Sequence, residues 1–123
     1  YWGTDVRIAH DPLYWTKKAA HSIFHALAAD NAVYITDARF VGDIDMARNL
    51  CFHAVRLEVA ADVRESRLFA RDGLTLDPAT ENHPSEQSLE NYPNFDVVVD
   101  NSGSLQQTIA DIIWNLAKQP SLI

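Results

Sequence analysis

Apolar residues recur at helical spacing through Leu13, Trp15, Ala19, Ala20, Ile23, Phe24 and Leu27, which predicts a helix over residues 12–29. Asp11 and Pro12 read as its N-cap and first helical residue, and Asp30-Asn31 closes it. The β-branched run Ala32-Val33-Tyr34-Ile35-Thr36-Asp37 predicts a short buried strand. A second helix is expected after Gly42-Asp43, through Ile44, Met46, Ala47 and Leu50, and a second strand over residues 53–59. Residues 62–71 are charged but helical in propensity, and residues 72–84 are a polar loop or lid marked by Gly73, Pro78 and Pro84. A short helix is expected over 85–90 and a nearly continuous apolar strand over 95–100. After the turn Asn101-Ser102-Gly103, a closing helix over 104–118 is expected to turn Leu105, Ile109, Ile112, Ile113 and Leu116 inward.

Strands alternating with helices imply parallel βαβ units, and apolar strands suit a sheet covered on both faces. The expected class is therefore α/β, a single domain over residues 1–123. Ligands of such sheets bind beyond the carboxyl ends of the strands. Here those ends are Thr36-Asp37-Ala38-Arg39, Glu58-Val59 and Asp100-Asn101-Ser102-Gly103.

Charge narrows the choice of ligand. The formal net charge of −7 argues against a general nucleic-acid binder, which needs a basic face. It leaves small phosphate ligands open, because a few clustered arginines can govern a local site. No apolar run reaches the ~20 residues that span a bilayer, and no signal peptide is visible. The single cysteine, Cys51, has no internal disulfide partner, so a reducing, cytoplasmic setting is expected, with Cys51 a small buried hydrophobe.

Four groups of residues could carry chemistry. Arg39, beside Asp37 at a strand end, offers a bidentate fork for a phosphate or carboxylate; a structural pair with Asp37 or Asp43 is the plainer reading. Arg64, Arg67 and Arg71, spaced by three and four, share one helical face. They would suit an anion, or would pair with Asp62, Glu65 and Asp72. Thr4, Asp5 and Arg7 could bind a base, a hydroxyl or an anion, or form a polar loop before the first helix. His21 and His25, four apart, lack the partners of a zinc site, so no metal site is assigned. Neither a Gly-x-x-x-x-Gly-Lys-Ser/Thr loop nor a Gly-x-Ser-x-Gly elbow occurs, so these residues alone lack a complete catalytic set.

Taken in order, these pieces resemble the C-terminal part of P-loop deoxynucleoside monophosphate kinases of the phage and bacterial kind, and of the related animal-type phosphomevalonate kinases. The carriers are residues 3–7, 11–15, Thr36-Asp37-Ala38-Arg39-Phe40, Val55-Arg56-Leu57, the pair Arg64 and Arg67, His83-Pro84-Ser85-Glu86, and residues 92–96 running into 99–103. The resemblance implies a three-layer α/β/α fold with a core, an acceptor region and a LID at about residues 64–84. It implies ATP and Mg²⁺ as cofactors and a (deoxy)nucleoside monophosphate as acceptor. By it, Arg39 resembles the acceptor-contacting arginine, Arg64 and Arg67 resemble LID arginines over the ATP phosphates, and Arg56 supports the site. Thr4, Asp5, Arg7, Trp15 and Asp37 fall on the acceptor side. Asn101, Ser102 and Gly103, with Arg71, fall on the ATP side.

The phosphate loop of that family is missing from this sequence. The chain opens on Tyr1 rather than Met, and an upstream unit carrying the loop is expected. Phe40 replaces an arginine usual in the mevalonate-pathway relatives, which tilts the acceptor toward a nucleotide. The alternatives are phosphomevalonate as acceptor, a nucleotide-binding regulator, and a non-catalytic kinase-like subunit in a homodimer or larger assembly. If Arg67 is an exposed LID arginine, its removal is expected to cost turnover but little stability.

Overall fold

A computed structural model describes residues 6–75 and 77–120. Its elements run α1 (Arg7–His10), α2 (Tyr14–Ala28), α3 (Val41–Asn49), β1 (Val55–Glu58), α4 (Ala61–Asp72), α5 (Pro78–Glu81), α6 (Pro84–Gln87), β2 (Val97–Asp100) and α7 (Leu105–Leu116). β1 and β2 pair in parallel, with Val55 opposite Val97 and Glu58 opposite Asp100. The architecture is mixed α/β around a small parallel sheet, with the connection between its strands running through α4, α5 and α6. No helix of the described residues is long and apolar enough to cross a membrane.

Local chemistry explains where the helices start and stop. Asp11 does not cap α2 directly, since Leu13 holds the N-cap position. The Asp11 side chain instead accepts from the Leu13 amide at 3.0 Å, and its carbonyl accepts from Tyr14 N. Lys17 pairs with the same carboxylate at 2.8 Å, and these bonds hold Asp11 below the usual carboxylate range. α2 and α3 both end in a Schellman arrangement. Asp30 donates to Leu27 O and Asn31 to Ala26 O; likewise Cys51 donates to Arg48 O and Phe52 to Ala47 O. The left-handed positions are filled by Asp30 and Cys51, at φ 59° and 61°, where glycine is the usual choice. Cys51 is thus exposed, which corrects its expected burial. Gly73 takes the same role after α4, at φ 67°.

Two carboxylates tie elements together. Asp43, in the first turn of α3, accepts from the amides of Arg39 and Phe40 at 3.1 and 3.0 Å. Its other oxygen accepts from the buried Thr16 hydroxyl at 2.8 Å, linking α3 to α2. Asp96 accepts from Ala54 N at 2.7 Å and pairs with Arg48 at 3.1 Å, joining the end of α3 to the start of both strands. The core lies between these ties and comprises Ile23, Ile44, Ala54, Val97 and Val99.

Two further expectations fail. Residues 31–39 form no strand, and Tyr34 is 86% exposed. The β-branched composition is suitable, but a strand exists only through backbone pairing, and none of the described residues supplies a partner ladder. On α7 the buried arc passes through Thr108, Ile112 and Leu116, while Leu105, Ile109 and Ile113 stay exposed. Thr108 turns inward because its hydroxyl bonds Ser104 O and the Asn101 side chain, which sets the rotation of the helix against β2.

Candidate functional site

Two contrasting regions flank the small sheet, one beyond the carboxyl end of β2 and one beside β1. Beyond β2, the turn 101–103 is held rigidly. Asn101 N donates to Glu58 O at 2.6 Å, Ala60 N to the Ser102 hydroxyl at 2.9 Å, and Ser102 N to Asp100 at 2.8 Å. The bonds from Ser102, first its hydroxyl and then its amide, hold the Asp100 carboxyl below its ordinary range, with a smaller contribution from Arg67. Arg67 closes the turn from above. Its guanidinium donates to Asn101 O at 2.6 Å and Gly103 O at 2.7 Å. A cation is thus bound to three residues of main chain at the end of the sheet.

The second region is a cleft of about 730 Å³. Ile35, Thr36 and Ala38 form one wall, and Val55, Arg56 and Leu57 of β1 form another. The short helices α5 and α6 close it with Glu81 and Glu86, and Arg64 enters from α4. Arg64 pairs with Glu81 at 2.7 Å. At the rim, Arg39 donates to Asp37 at 2.6 Å and approaches Glu86 at 3.6 Å. The bond to Asp37 stabilises the charged guanidinium, moving the Arg39 pKa above its usual value. Both arginine side chains remain half exposed, at 53% and 50%, so a ligand can reach them.

Arg56 braces the floor. It donates to the carbonyls of Leu89 and Glu90 at 2.8 and 3.3 Å, pairs with Glu58 at 3.1 Å and lies over the Phe95 ring. One side chain thereby fixes the 89–95 segment against β1.

The arginine trio of α4 does not converge on one anion. Arg64 reaches Glu81, Arg67 reaches the 101–103 carbonyls, and Arg71 folds onto Asp72 at 2.6 Å. That last bond raises the pKa of Arg71 and lowers that of Asp72. Asp37 is engaged by Arg39. Trp15 sits on α2, edge-to-face with Tyr14 at 4.9 Å, and does not line the cleft. His21 and His25 likewise stack edge-to-face at 4.5 Å on the exposed side of α2. Thr4 and Asp5 lie outside the described residues, as does the side chain of Arg7.

Among the described residues no three His, Cys, Asp or Glu side chains gather as a metal site. Mg²⁺ usually keeps several waters and takes one or two carboxylates together with substrate phosphates. Asp37, Glu81 and Glu86 are each engaged by an arginine, so a magnesium ion arriving with substrate phosphates would have to take its carboxylate from one of these pairs.

Glu81 and Glu86 are the cleft residues that sequence reasoning missed. They fall in polar stretches, and their partners lie 17 and 47 positions away, so no periodicity marks them. No family model matches the chain, and no curated protein matches it.

Proposed function

We propose that this chain forms the acceptor and LID portion of an ATP-dependent phosphotransferase that converts a (deoxy)nucleoside monophosphate to the diphosphate. The observation that supports this best is a pair of half-exposed guanidinium groups: Arg64 lines the cleft, and Arg39 lies beside it, 3.6 Å from the cleft-lining Glu86. Each offers a planar fork matched to phosphate oxygens. An acceptor phosphate oxygen attacks the γ-phosphorus of ATP, the bond to the β,γ-bridging oxygen breaks, and ADP departs. Catalysis is positioning and charge stabilisation, with no covalent enzyme intermediate. In this reading Arg39 holds the acceptor and Arg64 meets the transferring phosphoryl group. Arg67 stabilises the turn beside the base, since its guanidinium is committed to main-chain carbonyls.

The finer fold belongs to the same proposal: a three-layer α/β/α sheet completed by a phosphate-loop unit. Ile35 and Thr36 of the unpaired β-branched run line the cleft together with β1, whose only partner among the described residues is β2, so an entering strand finds a free edge of β1 to pair with. Phosphomevalonate as acceptor shares this mechanism and differs in what the cleft must recognise. A non-catalytic kinase-like subunit is favoured by one observation, the exposed Leu105, Ile109 and Ile113 of α7, which would suit burial in an assembly.

Titration of the ¹⁵N-labelled chain with deoxynucleoside monophosphates tests the reading. The expected result is amide shifts confined to residues 36–39, 56–58, 64 and 81–90. Shifts confined to α7, or none at millimolar nucleotide, would overturn it.

A further inference from the structure

We propose that Glu81 and Glu86 are placeholders for ligand phosphate: they hold Arg64 and Arg39 extended at the cleft, and an incoming phosphate displaces them and frees the 78–87 segment. The inference rests on the phosphate-binding reading of the cleft and adds how access to it is controlled.

Both glutamates line the cleft: Glu81 pairs with Arg64 of the same lining at 2.7 Å, and Glu86 approaches Arg39 at 3.6 Å, on the side of the guanidinium not taken by Asp37. A guanidinium bound to a carboxylate presents the geometry that a phosphate would take, so the two anions compete for the same fork. An entering phosphate also meets like charge from Glu81 and Glu86, which favours exchange over joint occupancy. The two pairs are mechanically linked. The Asn82 side chain donates to Pro78 O at 2.7 Å and accepts from the Gln87 side chain at 3.1 Å, tying α5 to α6. Glu86, Asn82 and Gln87 are all exposed. Releasing one glutamate therefore loosens the other, and ligand binding is coupled to movement of the segment.

Replacing the glutamates by glutamine removes the competing charge and keeps the shape. Exposed ion pairs contribute at most about 1 kcal/mol. Glu81→Gln and Glu86→Gln are therefore each expected to tighten binding of inorganic pyrophosphate by roughly two- to fivefold, measured by calorimetry. Amide exchange supplies the second readout. In the unaltered protein, pyrophosphate should accelerate exchange across residues 81–88, whereas in the double variant exchange should already be fast without ligand. Binding that is unchanged or weaker in both variants, or segment exchange that pyrophosphate slows, overturns this inference while leaving phosphate binding intact. Absence of pyrophosphate binding in the unaltered protein and both variants overturns the phosphate-binding reading and this inference with it.

Discussion

Removing the Arg67 guanidinium takes away two short charge-assisted bonds, to Asn101 O at 2.6 Å and Gly103 O at 2.7 Å. These bonds clamp α4 onto the turn that joins β2 to α7, alongside the Ala60–Ser102 and Asn101–Glu58 contacts. Hydrogen bonds to charged groups contribute about 1.5–3 kcal/mol each in general. Arg67 is exposed, and the freed carbonyls can take up water, so the pair is placed near the bottom of that range. The expected cost of Arg67→Ala is about 1–2 kcal/mol in all. With a urea m-value of about 1.5 kcal/mol/M for a small domain, the midpoint should fall by about 1 M at unchanged slope. Arg67→Lys keeps the charge but loses the fork, and should recover only part of the difference. An unchanged midpoint for Arg67→Ala would refute the clamp and restore the simpler expectation of a free LID arginine.

Three further outcomes follow from local geometry. Cys51→Gly relieves a side chain held at φ 61° after α3 and should raise stability by about 1 kcal/mol in urea unfolding; an unchanged or lower value would show that the left-handed strain is not released. Ser104→Ala removes the N-cap of α7, whose hydroxyl accepts from Gln107 N at 3.2 Å, and should cost about 1 kcal/mol, with the loss largely absent in Ser104→Asp. Asp100 has a folded pKa below its unfolded value, so its contribution is present above about pH 3.9 and is lost as pH falls through the lower folded pKa. Between pH 5 and pH 2 the unaltered protein should therefore lose more stability than Asp100→Asn, and parallel pH profiles would contradict the assignment.

The positions of α2, α3, α4, β1, β2 and α7 were legible because each rests on a local signal: apolar periodicity, helical propensity or an apolar β-branched run. What the sequence could not disclose depends on distant partners. The run 32–37 has the right composition for a strand, but pairing is a property of two segments, and only one was in view. The inward arc of α7 runs through Thr108, Ile112 and Leu116 rather than Leu105, Ile109 and Ile113, and the Thr108 hydroxyl bonds Asn101, a partner that apolar periodicity does not register. At the site, the pairing of Arg39 with Asp37 was readable from the local run Asp37-Ala38-Arg39. The partners of Arg67 were not, since main-chain carbonyls carry no sequence signature, and neither were the partners of Glu81 and Glu86, which lie far along the chain.

The central claim is phosphoryl transfer to a nucleoside monophosphate, and the most direct measurement is a coupled assay on the full-length protein with ATP, Mg²⁺ and each deoxynucleoside monophosphate in turn. The expected result is diphosphate formation from at least one of them, reduced by orders of magnitude in Arg39→Ala and Arg64→Ala while both variants remain folded. Absence of transfer to every nucleotide, or turnover untouched by either substitution, would contradict it.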